Sequence, residues 1–275
     1  MSILSHNNLT FSSCSTRGFV RIKNEDNLYC NGKSITAETR QKPFYFKNFA
    51  QTPCIFAVCD GMGGEAHGDL ASMTAINVLS EHAEKIKSKI KSQTSSDTIN
   101  KAVQSFISEV NSRLCHIMRE KSLRMGTTLA LVVISDELVR AYNIGDSRIY
   151  KLDNGILSRI SEDHTIVAQK IKMGLLTEEE ARHDRSRHVL TRCLGVFEDE
   201  MVLTPHIIPP FHANEGCRLL LCSDGLTDML TDKQIQNIML EHKDTSSAVN
   251  ELTNCALQNG GKDNITCIII DFKLK

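Results

Sequence analysis

The sequence predicts an α+β protein: a four-layer α-β-β-α sandwich, two antiparallel sheets packed together and flanked by helix pairs. Two observations lead there. Strand-like and helix-like runs fall into separate blocks instead of alternating, which argues against a parallel βαβ sheet. Runs such as "CIFAVC" and "LLLC" are apolar throughout, as strands buried on both faces are. With 275 residues, 41% of them hydrophobic, the chain can bury one large core or two modest ones. No internal repeat and no linker divides it, so residues 1–275 read as a single domain.

Taken in order, residues 9–20 ("LTFSSCSTRGFV") and 27–30 ("NLYC") read as strands, and the polar stretch 31–42 as a hairpin loop or insertion. Residues 54–60 form a buried strand. From Glu65, the positions Leu70, Met73, Ala75, Ile76 and Leu79 give an amphipathic helix. After the loop "KSQTSSDT", a second helix carries Val103, Phe106, Ile107, Val110, Leu114 and Ile117 and is expected to lie antiparallel to the first. Short strands with turn residues between them fill 127–161 as an antiparallel meander. Residues 165–195 read as mostly helical and polar, a flap interrupting the strands. Strands return at 201–208 and 216–225, helices at 231–242 and 244–260, and a last strand at 264–272.

Composition excludes several classes. Lys+Arg 32 against Asp+Glu 33 leaves a charge of -1, so there is no basic field for nucleic acid. No apolar run approaches the roughly 18–20 residues of a membrane helix, and "MSILSHNNLT" lacks the basic start and apolar middle of a secretory signal. A cytoplasmic protein without membrane contact is expected. The ten cysteines, spread from Cys14 to Cys267 with no C-x-x-C, read as free buried thiols.

The chemistry lies in the acids. Asp60 ends "CIFAVC", Asp146 follows "VRAYNIG", Asp224 ends "RLLLCS", and Asp263 with Asn264 precedes "ITCIII". An Asp-Gly at a strand end is also a common turn signal, and any one of these alone reads that way. Four together point to one sheet edge. Converging carboxylates need cations or must take up protons, and all-oxygen sites suit Mg²⁺ or Mn²⁺.

The motifs "RGFVRIKNEDN", "VCDGMGGEAHG", "GTTL", "NIGDSRIY", "EDHT", "CSDGLTD" and "GGKDNIT", in order from about Arg17 to Thr266, resemble the type 2C metal-dependent serine/threonine protein phosphatases, bacterial branch. The resemblance implies that Asp60 bridges two metal ions, with the Gly61 carbonyl on one of them and Asp224 and Asp263 on the other. It implies that Glu25 and Asp26 complete a shell directly or through water, with Asp26 and Asn264 as second-layer positioners, and that Arg21 grips substrate phosphate. Asp146 with Asp224 matches a third, weaker metal site. The implied reaction is attack on phosphorus by a hydroxide bridging two Mg²⁺ or Mn²⁺ ions, without a phosphoenzyme. Phosphorylated proteins are the implied substrates, opposite a serine/threonine kinase, with a monomer as the default.

Arg17 and Lys23 stand near enough in sequence to substitute for Arg21. Where many eukaryotic relatives place a histidine after the Asp-Gly, this chain has Met62, leaving the proton donor open between metal-bound water and a histidine such as His164. His67 and His164 otherwise read as structural. The stretch "RHDRSRH" (182–188) reads as a solvated, mixed-charge helix end, with a metal or phosphate patch as the alternative. Cysteine-phosphatase, zincin, P-loop and serine-hydrolase motifs are missing. Two other readings survive: a two-metal phosphodiesterase acting on small nucleotides, and a non-catalytic relative that binds phosphoproteins.

Overall fold

A computed structural model describes residues 8–40, 42–63, 67–92, 95–135, 138–197, 200 and 203–273. The start of the "MSILSHNNLT" segment and Glu65 lie outside the described residues. In chain order the first strands are β1 (Asn8–Thr16), β2 (Asn27–Cys30), β3 (Lys33–Ser34), β4 (Phe44–Gln51), β5 (Cys54–Cys59) and β6 (Gly61–Met62). Helices α1 (Gly68–Lys91) and α2 (Ser96–Lys121) follow, then β7 (Gly126–Thr127), β8 (Leu129–Ser135), β9 (Leu138–Ile144), β10 (Arg148–Asp153) and β11 (Ile156–Arg159). The chain continues through α3 (Ile166–Lys172), α4 (Glu178–Ala181), β12 (His206–His212), β13 (Arg218–Cys222), α5 (Asp224–Thr227), α6 (Asp232–Glu241), α7 (Thr245–Gln258) and β14 (Ile265–Lys273).

Two six-stranded sheets form, in the orders β11-β10-β13-β14-β1-β4 and β12-β9-β8-β5-β2-β3, and every pair within them is antiparallel. The continuous apolar runs are explained by the side-chain alternation of a strand. In β5, Ile55, Ala57 and Cys59 face α1 and α2, while Cys54, Phe56 and Val58 face the opposite sheet. In β14, Ile268 and Ile270 enter the inter-sheet core, and Ile265, Cys267 and Ile269 lie under α6 and α7. Three stacked apolar layers therefore separate four layers of structure, as expected.

Three details differ from expectation. Strand β4 was not anticipated: "FYFKNFAQ" has mostly exposed side chains because it is an edge strand pairing only with β1, so its apolar pattern is weak. Strand β1 stops at Thr16, where residues 17–26 cross between the sheets. Residues 165–195 hold only the short helices α3 and α4; Gly174 and the Asp184 turn interrupt the rest. The described cysteines are all free, and most are buried. No helix among the described residues is long and apolar enough to cross a membrane.

Register sets up one edge. Cys222 of β13 pairs Cys267 of β14, and Thr16 of β1 pairs Ile265. In the other sheet Cys59 pairs Asn27, and Leu129 pairs Ile144. The antiparallel ladders thus bring the ends of β1, β5, β9 and β13 beside the starts of β2 and β14, and the chain crosses between sheets there twice, at residues 17–26 and 145–147.

Candidate active site

Asp60, Asp146, Asp224 and Asp263 occupy that shared edge, with Glu25 and Asp26 supplied by the first crossing and Asp146 by the second. Backbone and hydroxyl contacts hold each in place. The Asp60 amide donates to Thr128 Oγ1 at 2.9 Å, and its carbonyl accepts from the Thr128 amide and Thr127 Oγ1. Thr128 in turn shares a hydrogen bond with Ser147, next to Asp146. Gly61 is squeezed between backbones: a Cβ there would collide with the Gly68 carbonyl and crowd that of Glu25, so only glycine lets these segments close. The Glu25 carboxylate accepts from the Gly68 amide at 3.1 Å, and its carbonyl accepts from Ser72 Oγ at 2.6 Å.

Asp26 is fully buried. Ser223 Oγ donates to its Oδ2 at 2.7 Å, while Oδ1 is buried with no hydrogen-bond partner among the described residues. Asn264 ties the site to its neighbouring loop: its Oδ1 accepts from the Glu25 amide, and its Nδ2 donates to the carbonyls of Arg17 and Lys23. Arg21 Nη2 donates to Asp263 Oδ2 at 2.6 Å. Of the three cationic candidates in this loop, Arg21 reaches the acid cluster; Arg17 instead braces the loop through the Ile22 carbonyl.

The electrostatics are those of too many carboxylates. Burial raises Asp60 well above the usual carboxylate range, helped by the charges of Asp26, Asp224, Asp146 and Asp263. Burial likewise raises Asp146, Asp263 and Glu25, and pushes Asp26 to about 7. Asp224 behaves oppositely: burial pushes it up, but the hydrogen bond and charge of His188 and a hydrogen bond shared with Asp60 pull it below its ordinary value. Without cations, burial and the neighbouring carboxylates favour the neutral form at Asp60.

At His188 the structure departs from the preferred reading of residues 182–188 and agrees better with its alternative, a metal patch. Expected at a solvated helix end, its imidazole lies inside the cluster, with Nδ1 at 3.1 Å from Asp224 Oδ2 and Nε2 at 3.2 Å from Asp228 Oδ2. Donor atoms of Asp146, His188 and Asp224 lie within 4.8 Å of one another. The segment 165–195 folds back on itself to place it, through pairing of Thr165 with Leu190 and of Thr127 with Leu194. His164 is structural in this geometry. It accepts from the Gly145 amide at 3.1 Å and lies 3.3 Å from Arg192, and burial lowers it to about 4.

A two-sheet sandwich with a carboxylate cluster at one edge defines a class of metal-dependent hydrolases, and comparison with known proteins identifies the family. Residues 36–269 match the family Protein phosphatase 2C. A serine/threonine phosphatase, stp, of Listeria innocua is 31% identical over 260 residues, 94% of each chain. The crystal structure of the Mycobacterium tuberculosis serine/threonine phosphatase PstP superposes with a TM-score of 0.79 at 28% identity, covering 97% of this chain and 100% of that one. A second structure, of the PstP catalytic domain in complex with two manganese ions, gives 0.76 at 27% identity, covering 97% and 100%. The chain belongs to the protein phosphatase 2C family, as its motifs led one to expect. These matches do not favour a nucleotide phosphodiesterase or a non-catalytic relative.

Proposed function

We propose that this chain is a Mg²⁺- or Mn²⁺-dependent protein serine/threonine phosphatase whose centre is the shared sheet edge. The observation that carries this reading is the meeting of Asp60, Asp146, Asp224 and Asp263 with Glu25 and Asp26, beside a guanidinium already held on Asp263. The donor set fits hard divalent ions: it is almost all carboxylate oxygen, all of its aspartates but Asp224 are pushed toward the neutral form, chiefly by burial, and one buried carboxylate oxygen, Asp26 Oδ1, lacks a partner among the described residues.

In this reading Asp60 and the Gly61 carbonyl, with Asp224, Asp263 and Glu25, would hold two ions, and Asp146 with Asp224 would hold a weaker third. Such ions supply Lewis acidity, neutralising phosphoryl oxygens and lowering the pKa of water. Arg21 is half exposed, so the guanidinium donors not engaged by Asp263 can fork onto phosphate oxygens. Asn264 and Ser223 fix the crossing that carries Glu25 and Asp26. The ions would bind the ionised acids, so loading would compete with protons at Asp60 and be pH-dependent. His164, neutral and committed to Gly145, is not placed to protonate a leaving alkoxide.

The same reading makes the whole chain one catalytic unit with residues 165–195 as its flap. It acts as a cytoplasmic monomer in signalling, on phosphoproteins made by a serine/threonine kinase. The test is phosphate release from a phosphothreonine peptide with Mn²⁺. Activity is expected with the ion, none in excess chelator, and almost none from Asp60→Asn; full activity in chelator overturns the metal mechanism.

A further inference from the structure

Three of the ten large hydrophobic side chains that are exposed among the described residues crowd into four consecutive positions around Arg21: Phe19 at 69%, Val20 at 66% and Ile22 at 86%. Single exposed apolar residues are ordinary, but a contiguous group beside a functional site calls for an occupant. The loop is not loose. Gly18 sits at φ +74° and its Cα lies so close to the Asp263 carbonyl that a Cβ would not fit. The Phe19 amide donates to the Gly261 carbonyl at 2.8 Å. Asn264 clamps both ends of the loop, and the Arg17 guanidinium holds the Ile22 carbonyl at 3.2 Å. Its backbone is therefore fixed against the Gly261–Asp263 segment while its apolar side chains point to water. A rigid presentation of this kind lowers the ordering cost of binding.

We propose that Phe19, Val20 and Ile22 form a specificity surface that receives apolar side chains flanking the phosphorylated residue of a substrate polypeptide. The inference rests on the proposed phosphatase reading and deepens it. Arg21 lies between these residues and reaches Asp263, so a phosphate gripped there puts the residues next to it in sequence over the apolar group. Substrates with charged residues beside the phosphorylated one must desolvate those charges against this apolar group. Because the contacts exist before and during reaction alike, they lower KM more than they raise kcat.

The experiment compares two phosphothreonine peptides of equal length, one with Leu and Phe beside the phosphothreonine and one with Ser and Lys, using wild type and the double variant Phe19→Ser/Ile22→Ser with Mn²⁺. Wild type should favour the apolar-flanked peptide by about tenfold or more in kcat/KM, the effect of burying one such side chain, carried mainly by KM. The double variant should bring the ratio toward one. Equal kcat/KM for both peptides in wild type overturns the proposal, without needing the variant to fold, and so does a preference that survives in the double variant. Equal turnover of both peptides leaves the phosphatase reading standing, whereas turnover of neither overturns both.

Discussion

The ladder of β13 and β14 ends in two opposite ways. At one end Arg218 pairs with Asp271 across the register, Nε to Oδ1 at 2.7 Å, with both side chains under 10% exposed. Arg218 also donates to the carbonyls of Met239 and His242. At the other end the same two strands deliver Asp224 and Asp263 to a cluster with Asp60, Asp26, Glu25 and Asp146. One buried carboxylate has its cation built in. At the other end Arg21 and His188 reach only Asp263 and Asp224 of the cluster among the described residues, and burial pushes Asp26, Asp60 and Asp146 above the ordinary carboxylate range. The difference teaches that the second end is shaped for charge arriving from outside.

The largest break in this comparison comes from neutralising the acids. Asp60→Asn or Asp224→Asn should lower kcat/KM on a phosphothreonine peptide by roughly 10³-fold or more, since transition-state charge loses its stabilisation. In chelator, however, Asp60→Asn should melt no lower than wild type, because a neutral amide replaces a carboxyl that burial and its acidic neighbours already push toward the neutral form. A calorimetric scan showing strong destabilisation would make Asp60 a structural residue instead.

Next in size is the far end. Arg218→Met takes the guanidinium away from buried Asp271 and should cost about 3–5 kcal/mol by urea denaturation. Metal-dependent activity per folded molecule should be unaffected, since the change sits at the opposite end of the strands. A loss below about 1 kcal/mol would mean that water reaches Asp271.

Both ends were unequally legible in the sequence. Asp60, Asp146, Asp224 and Asp263 stood out because each punctuates an apolar strand, and antiparallel register alone suffices to gather strand tips. Motif spacing singles out Arg21 over Arg17 and Lys23 as the proposed phosphate anchor, and Arg21 lies against Asp263 at 2.6 Å. His188 left a weaker mark: it lies 36 residues from Asp224 in a polar run that reads first as a solvated helix end and only second as a metal patch, and the fold-back of residues 165–195 brings it in. Strand β4 escaped because an edge strand with exposed faces lacks the burial that makes alternation visible. The Arg218–Asp271 pair was equally silent, since nothing in "GCRLLLC" or "IIIDF" says that two charges are neighbours across a ladder.

A smaller effect should appear as a pH trend. A carboxyl with a raised native pKa holds its proton after the unfolded chain has lost it. Its contribution is therefore full below the ordinary value of 3.8 and is lost as pH climbs toward the native value, about 7 at Asp26. Asp60, Asp146 and Asp263 shift the same way. Metal-free protein should lose stability across that window, while cations, which bind the ionised acids, gain affinity through it. The gap in Tm between saturating Mn²⁺ and chelator should widen from about pH 5 to about pH 7.5, reaching several degrees if the ion exceeds its Kd a hundredfold. His164, lowered to about 4, destabilises as pH falls from 6.5 but does so in both samples, so it cancels from the gap.

The smallest effect separates the two ends most sharply. His188 plays for Asp224 the part Arg218 plays for Asp271, but with an imidazole that is 42% exposed on a returning segment. The hydrogen bond to Asp224, then that to Asp228, raises it to about 10. That contribution is present below pH 6.5 and fades as pH rises through 10. Exposure keeps it small, so His188→Ala should cost metal-free protein less than about 1 kcal/mol. Saturating Mn²⁺ takes over Asp224, and the cost should then shrink toward zero, because the imidazole's partner has found a stronger cation. If the cost instead grows with Mn²⁺, His188 is holding on to the loaded centre and the contrast between a permanent internal cation and a displaceable one fails.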